Sequence, residues 1–223
     1  MGKKAASAVT VIEGADGPTS VFFLGGKGSK RTLKQKIQSK LFALRKKRIA
    51  GHLKANPHTM EQVIEYVKSK WGYTDVGKDS EEYKSEYKSM RASFILIHKP
   101  ELLGELKERP KLESKDEESV KHYMELMEQW QKAAEKAVEE TSTELFDIDL
   151  CILEMHKEGL DSRLILEKNY GYIGGSASGA SKKEMKKHDR IFREVYKYYG
   201  VTQSDIDNKS KRYDELLRTL ARR

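Results

Sequence analysis

The 223-residue chain contains one cysteine, Cys151, so it cannot form an internal disulfide. This cysteine lies in the apolar run Leu-Cys-Ile-Leu, a setting typical of a buried, unreactive thiol rather than of a nucleophile. A single thiol without a bonding partner also indicates a reducing compartment. A chain of this length has enough apolar surface to bury a core without disulfides or a structural metal.

Long hydrophobic runs are also absent. No apolar run is longer than four residues, the length of the runs at 21–24, 94–97 and 150–153, whereas a membrane-spanning helix needs about 20. The start of the chain is too polar for a signal peptide, and Ala6 stands where a myristoylation site has Ser or Thr. These absences predict a soluble protein located in the cytoplasm.

Motifs of the common enzyme and metal-binding classes do not occur in the sequence. The six histidines form neither a His-Glu-x-x-His motif nor a Cys/His grid, and no serine occupies a Gly-x-Ser-x-Gly elbow. The glycine-rich segments 25–30 and 174–181 lack the spacing of a phosphate-binding P-loop. We therefore expect no enzymatic activity, no cofactor and no bound metal.

Charge is distributed unevenly behind the net value of +8. Residues 1–60 contain 13 Lys and Arg against two acidic residues, whereas residues 101–161 contain 18 acidic against 8 basic residues. Two explanations fit this layout: the basic arm docks on the acidic segment of its own fold or of a second copy, or it binds an external polyanion. Surface ion pairs contribute only about 0–1 kcal/mol each, so self-docking would also need apolar contacts.

Apolar spacing predicts helices along most of the chain. Leu33, Ile37, Leu41 and Leu44 recur every three or four residues, which predicts a helix from about 32 to 53. Further helices are predicted at 56–71 (capped by Asn56), 80–99, 100–106, 114–140, 144–157, 161–169, 182–199 and 202–222.

The predicted fold class is mostly α, a soluble multi-helix domain with a short N-terminal β-hairpin and a C-terminal helical hairpin. A glycine- and serine-rich stretch at 174–181 has the composition of a linker. The predicted organisation is a motif-bearing hairpin and joint at 1–30, a helical domain at 31–173, the linker, and a C-terminal helical hairpin at 182–223.

Basic side chains cover the other faces of the first predicted helix. If the arm binds nucleic acid, these side chains contact it electrostatically. They are Lys34, Lys40, Arg45, Lys46, Lys47 and Arg48.

The segment Gly-Val-Thr-Gln-Ser-Asp-Ile-Asp at 200–207 resembles the turn and recognition-helix start of helix-turn-helix DNA-binding proteins. By that resemblance Gly200 makes the turn, Val201 packs inward and Thr202 caps the helix. An ordinary helical hairpin explains the same residues, and the two aspartates of the segment would repel phosphates. The DNA-binding interpretation implies contacts from Gln203, Ser204, Asn208, Lys209 and Arg212.

Packing explains the amino-acid order of residues 9–27 less well than that of any other stretch. Apolar runs at 9–12 and 21–24 flank a glycine-proline turn, which predicts a β-hairpin. The turn, Gly-Ala-Asp-Gly-Pro-Thr, resembles the signature of the β subunits of biotin-dependent, sodium-translocating decarboxylases. The resemblance implies that Asp16 is an ion or proton ligand. No apolar run long enough for a membrane helix follows, so the sequence excludes a sodium pump formed by this chain alone.

The chain as a whole resembles small soluble bacterial proteins that open with this signature and continue into lysine-rich helices. These features suggest three functional interpretations. The first interpretation is a non-enzymatic adaptor that engages a protein partner through its basic helix and hairpin motif. The second is a nucleic-acid-binding protein, and the third is an accessory subunit related to the decarboxylases, with Asp16 as a sodium ligand. The partner-binding residues of the motif would be Gly14, Asp16, Gly17, Pro18, Thr19, Phe22 and Phe23.

Overall fold

The computed structural model describes residues 33–114, 116–157, 159–179 and 181–222. Within these ranges it contains seven α-helices, two 3-10 helices and a four-stranded antiparallel sheet, so the predicted mostly helical class is confirmed. No helix in the same ranges is long and apolar enough to cross a membrane. The predicted hairpin and its motif at 9–27 lie outside the described residues.

The elements divide between two compact units. A sheet unit comprises residues 33–83 and 148–222, and a helical unit comprises residues 84–147. In chain order the elements are α1 (Leu33–His52), α2 (Met60–Trp71), β1 (Thr74–Asp75), α3 (Glu81–His98), a 3-10 helix (Pro100–Leu106), α4 (Glu117–Glu140), a short 3-10 helix (Thr143–Leu145), β2 (Leu150–Lys157), β3 (Leu160–Glu167), β4 (Tyr172–Gly179), α5 (Lys182–Tyr199), α6 (Gln203–Asn208) and α7 (Lys211–Ala221).

The sheet is an antiparallel meander in the order β1-β2-β3-β4. At its centre, Leu164 of β3 lies opposite Leu153 of β2 and Gly175 of β4. Alternate residues of β3 are buried, so one face of the sheet packs against helices. The core joins this face to α2, α5 and α7 and includes Val63, Val67, Leu153, Leu164, Ile191, Val195 and Leu216.

The helices predicted at 144–157 and 161–169 are wrong, because these residues form β2 and β3. Burial in β3 repeats every two residues from Leu160 to Leu166, which is the period of a strand and not of a helix. Gly159 and Gly171, which follow these two predicted helices, instead occupy the hairpin turns with φ of 73° and 69°. Such positive φ values favour glycine.

The linker predicted at 174–181 is also wrong, since residues 174–179 belong to β4. The glycines of this strand allow close packing. A Cβ atom at Gly175 would lie 3.0 Å from the carbonyl oxygen of Arg163 and 3.1 Å from the ring of Phe192 on α5. Close approach of a strand and a helix therefore accounts for the composition that indicated a linker.

Helix ends were predicted with mixed success. Helix α2 ends at Trp71, as predicted, and Gly72 caps it with a φ of 74°. The predicted cap Asn56 is wrong, because Thr59 caps α2 and accepts a hydrogen bond from the backbone N–H of Gln62. The single helix predicted at 202–222 is interrupted at Lys209, whose φ of 49° separates α6 from α7.

The helical unit is built around α4. The 3-10 helix at Pro100–Leu106 packs against it. Arg91 of α3 is buried and donates hydrogen bonds to the carbonyl oxygens of Thr141 (3.0 Å) and Ser142 (2.9 Å), just past the end of α4. A cation is favourable at this end of a helix because the backbone carbonyls point there.

Candidate docking surface on the basic helix

Helix α1 turns four of its apolar side chains outward. Leu33, Ile37, Leu41 and Leu44 are 44–75% exposed, although the apolar face of a surface helix ordinarily packs inward. At about 100° per residue these four side chains lie within a sector of about 80°. This set is called the apolar stripe. Packing within the described chain does not account for it.

The opposite side of α1 is held by α7. The two helices pack together, and Phe42 and Ile49 of α1 are partly buried. Lys46 forms an ion pair with Asp214, which Arg218 also contacts at 2.5 Å. The hydrogen bond from Lys46 lowers the pKa of Asp214. The basic helix is therefore anchored within its own unit by the side that does not carry the stripe.

Positive charge surrounds the apolar stripe. Helix α1 contains seven Lys and Arg and no acidic residue. Lys40, Lys47 and Arg48 are exposed beside the stripe and form no ion pair within the described part of the chain. A ligand that is itself amphipathic and negatively charged would complement both features.

A cleft of about 640 Å³ opens between α1, α5 and α7. Leu41 of the stripe also lines this cleft, so the two features are continuous. Arg193 is fixed there by hydrogen bonds to the carbonyl oxygens of Asp189 (3.2 Å) and Arg222 (3.3 Å). This cleft is called the basic cleft. Its lining includes Leu41, Phe42, Arg45, Asp189, Phe192, Arg193 and Arg222.

The basic cleft combines two kinds of contact. Phe42 and Phe192 are partly buried and supply an apolar wall. Arg45, Arg193 and Arg222 also line the cleft, together with Asp189. Guanidinium groups suit carboxylate or phosphate groups. The cleft can therefore take an apolar side chain or ring that carries a neighbouring anion.

The predicted electrostatic residues Lys34, Lys40, Arg45, Lys46, Lys47 and Arg48 all lie on α1. Lys46 is engaged with Asp214, and Arg45 lines the basic cleft. The motif residues predicted to bind a partner, Gly14, Asp16, Gly17, Pro18, Thr19, Phe22 and Phe23, lie outside the described residues.

The C-terminal segment has the local structure expected of the predicted turn. Gly200 has a φ of 60°, Val201 is fully buried, and Thr202 caps α6. Helix α6 is only six residues long, which is short for a helix that reads a DNA groove. The side chains predicted to face bases are exposed, namely Gln203, Ser204, Asn208 and Lys209.

Arg212 does not project into solvent as a predicted nucleic-acid contact would. Its guanidinium donates hydrogen bonds to the carbonyl oxygens of Gly200 (2.8 Å), Tyr199 (2.5 Å) and His58 (3.3 Å). It also lies 3.6 Å from the centre of the Tyr199 ring. Arg212 therefore links α7 to the end of α5 and to the segment before α2.

A buried polar chain joins Tyr73, Ser162 and His188. The Tyr73 hydroxyl lies 2.5 Å from Ser162 Oγ, which lies 2.8 Å from His188 Nδ1. Ser162 is only 3% exposed, so its hydroxyl is not accessible to a substrate. No local motif could have revealed this chain, because Tyr73 and Ser162 are separated by 89 residues.

Cys151 is half-buried, and burial raises the pKa of its thiol to about 11. The thiol is protonated at neutral pH and is a poor nucleophile. Within the described ranges, no three His, Cys, Asp or Glu side chains come close enough to hold a metal ion.

Acidification is expected to destabilise the wild type more than a His188→Gln variant. Burial lowers the pKa of His188 despite the nearby carboxylate of Asp189. Below about pH 6.5 the unfolded chain therefore binds a proton that the native chain does not, and the free energy of unfolding falls towards the native pKa. Denaturant unfolding at about pH 8 and about pH 5.5 measures this loss.

The pH-dependent loss of unfolding free energy in the wild type, minus that in the variant, gives the contribution of His188 alone. The carboxylate of Asp161 raises the pKa of the exposed His156, which changes stability in the opposite direction. That contribution is common to both proteins and cancels. An equal loss of stability in both would contradict the assignment.

Comparison with known proteins finds no matching family model, no matching curated protein and no matching solved structure. Function is therefore inferred from the charge, exposure and contacts of the described residues.

Proposed function

We propose that the chain is a non-enzymatic binding protein that docks an acidic protein partner on α1. The observation that carries the proposal is the outward apolar stripe. Leu33 and Leu44, its two most exposed members, are 75% and 64% exposed. Contiguous apolar patches rimmed by polar residues are typical of protein–protein contact sites.

A protein partner fits this surface better than a phosphate backbone does. Covering the stripe would contribute on the order of 1 kcal/mol or more for each side chain. Phosphates would leave the apolar atoms exposed to water. An amphipathic helix bearing carboxylates would cover the stripe and meet Lys40, Lys47 and Arg48 at its rim.

The basic cleft adds an anchor point. Because Leu41 belongs to both the stripe and the cleft, a partner lying on α1 would pass the mouth of the cleft. A buried anchor side chain surrounded by a polar rim is the usual arrangement of a strong contact. Arg45 and Arg193 are placed to meet a carboxylate beside that anchor.

Substitution of the stripe by serine tests the docking function. In the triple variant Ile37→Ser/Leu41→Ser/Leu44→Ser we expect loss of the protein that co-purifies with the full chain from native extract. Stability should change little because all three side chains are exposed. Met185→Ser, at an exposed apolar side chain outside the stripe, is the matched control and should keep the partner.

Nuclease treatment separates a protein contact from a shared nucleic acid. A partner retained by wild type after nuclease treatment, and lost only in the stripe variant, supports the proposal. Co-purifying proteins that are identical for the wild type and the stripe variant would contradict it.

Nucleic-acid binding is the second candidate, favoured by the three arginines of the basic cleft beside Phe42 and Phe192. Aromatic rings in a cationic groove are typical of single-strand binding. Fluorescence anisotropy with a labelled oligonucleotide should then show that the binding affinity falls about a thousandfold or more when salt is raised from 50 to 200 mM. Arg45→Ala/Arg48→Ala should weaken this binding and reduce its salt dependence. Absence of binding at the lower salt would exclude this function.

The decarboxylase-related interpretation remains a prediction of the N-terminal motif. Asp16 lies outside the described residues, so the proposal from α1 neither uses nor replaces it. Sodium-dependent thermal stabilisation that is lost in Asp16→Asn would support a sodium ligand. The cytoplasmic location likewise remains a prediction from the sequence.

A further inference from the structure

The basic cleft lies wholly within the sheet unit. It is bounded by α1, α5 and α7, and its volume is about 640 Å³. Sites for small molecules are commonly clefts of about 300–1,000 Å³ with apolar walls and a few polar groups. The basic cleft therefore has the size of a small-molecule site.

The apolar wall of the cleft is held in place on the α5 side. Two rings of the same helix flank the ring of Phe192, with centroid distances of 5.1 Å to Tyr196 and 6.0 Å to His188. Strand β4 also approaches this ring, since a Cβ atom at Gly175 would lie 3.1 Å from it. Phe192 is therefore positioned before a ligand arrives, which lowers the entropic cost of binding against it.

A buried hydroxyl also lines the cleft. Thr219 of α7 is 9% exposed, and its side chain forms no hydrogen bond within the described part of the chain. Buried polar side chains ordinarily have a hydrogen-bond partner, and the lack of one costs free energy. A polar atom of a ligand in the cleft would supply that partner.

Arg193 is oriented by the chain and retains donors for a ligand. A guanidinium group has five N–H donors. The Nε of Arg193 donates to the carbonyl oxygen of Asp189 at 3.2 Å, and its Nη1 donates to that of Arg222 at 3.3 Å. An oriented guanidinium with donors to spare can bind a carboxylate through two parallel hydrogen bonds.

The charges that line the cleft favour a ligand with a single negative charge. Arg45 is half-buried there and forms no ion pair within the described ranges. Asp189 contributes a carboxylate to the same lining. A ligand with several negative charges would be repelled by Asp189, whereas an uncharged ligand would leave the arginines without a partner.

We infer that the basic cleft binds a small organic acid. The apolar or aromatic body of the ligand lies against Phe42 and Phe192, and its carboxylate accepts hydrogen bonds from Arg45 and Arg193. The hydroxyl of Thr219 bonds to the same ligand. This site goes beyond the docking of a protein on the apolar stripe and does not depend on it.

Isothermal titration calorimetry of the full chain with 2-naphthoate tests the inference. This probe joins an aromatic body to one carboxylate, and we expect saturable binding with a dissociation constant below about 1 mM. Two probes with the same rings are the controls: 2-naphthylmethanol has no charge, and 2-naphthylmethylammonium has a positive charge. Both should bind at least about tenfold more weakly, because neither offers a carboxylate to the arginines.

Substitutions in the lining should change the affinity in opposite directions. Arg45→Gln should weaken the binding of 2-naphthoate at least about tenfold, and Thr219→Val, which removes only the hydroxyl, about two- to tenfold. Asp189→Asn should strengthen the binding because it removes a negative charge, a result that a damaged fold would not produce. The matched control is Arg48→Gln, which changes an exposed cation of α1 outside the cleft and should bind like wild type.

Three results would overturn the inference. Absence of saturable binding of 2-naphthoate by the full chain shows that the cleft is closed or does not suit an organic acid. Equal affinity for the three probes shows adsorption of the rings without recognition of the carboxylate. Unchanged binding by both Arg45→Gln and Thr219→Val shows that the probe binds elsewhere. None of these results bears on docking at the apolar stripe, which the serine variant tests separately.

Discussion

Replacement of Gly200 by alanine is expected to destabilise the chain by about 3–5 kcal/mol. Gly200 has a φ of 60° and a ψ of −160°, a backbone region that is essentially restricted to glycine and costs other residues about 1–3 kcal/mol. A Cβ atom there would also lie 2.0 Å from the carbonyl oxygen of Asn56. Overpacking of this kind typically adds about 1–3 kcal/mol.

The clash would disrupt two backbone hydrogen bonds that join the segment before α2 to the turn after α5. The backbone N–H of Asn56 donates to the carbonyl oxygen of Val201 at 3.0 Å, and that of His58 donates to the carbonyl oxygen of Tyr199 at 3.0 Å. Relief of the clash requires the segment before α2 to move away from the turn between α5 and α6. Both hydrogen bonds would then lengthen or break.

Thermal and denaturant unfolding measure the effect. At about 2–4 °C per kcal/mol for a chain of this size, the melting temperature should fall by about 10 °C. The matched control is Gly51→Ala, because Gly51 is helical and its Cβ would meet no atom within 4 Å. That variant should gain up to about 1 kcal/mol. A Gly200→Ala protein as stable as wild type would contradict the described turn.

Replacement of Arg212 by alanine is expected to cost about 3 kcal/mol. The guanidinium donates to three carbonyl oxygens and lies over the ring of Tyr199. Each hydrogen bond from a charged donor contributes about 1.5–3 kcal/mol, and the effects within one group are not additive. Arg212→Lys should recover only part of this loss, since an ammonium group cannot span the same acceptors.

Arg218 on the same helix is the control for Arg212. It is exposed and pairs with Asp214 one turn away, so Arg218→Ala should change stability by less than about 1 kcal/mol. Denaturant unfolding of both variants gives the comparison. If Arg212→Ala lowered nucleic-acid affinity while leaving stability unchanged, the structural role would be wrong and the sequence-based DNA contact would be supported.

Helices were predicted well where local patterns define them. The predicted helices at 32–53 and 182–199 correspond to α1 and α5, and the short helix at 100–106 matches the 3-10 helix. The glycine at the end of α2 and the threonine at the start of α6 cap these helices through hydrogen bonds to residues three or four positions away. Such caps are local in sequence and can therefore be predicted from it.

The sheet was missed because its pattern is ambiguous along the chain. Residues 150–153 are four consecutive apolar residues, which fit either a buried helix or a buried strand. Only the antiparallel neighbours of β2 and β3 decide between them. The glycines of β4 reflect the approach of α5, a contact that composition alone does not reveal.

The candidate site divides in the same way. Sequence predicted α1, its cations and its four apolar side chains, since spacing and charge are local properties. The direction in which the stripe faces depends on Lys46 and α7, which are brought together across 168 residues. The basic cleft likewise joins α1 to α5 and α7 and has no signature in any one segment.

By itself, the sequence determined that this chain is mostly helical and carries a basic arm and an acidic middle. These properties follow from composition and from spacing within single helices. Only the tertiary structure decided that α1 docks on α7 with its apolar stripe outward, and that Arg212 is held by carbonyl groups. The physical reason is that exposure and hydrogen-bond partners are set by residues far apart in the chain, whose approach no local pattern specifies.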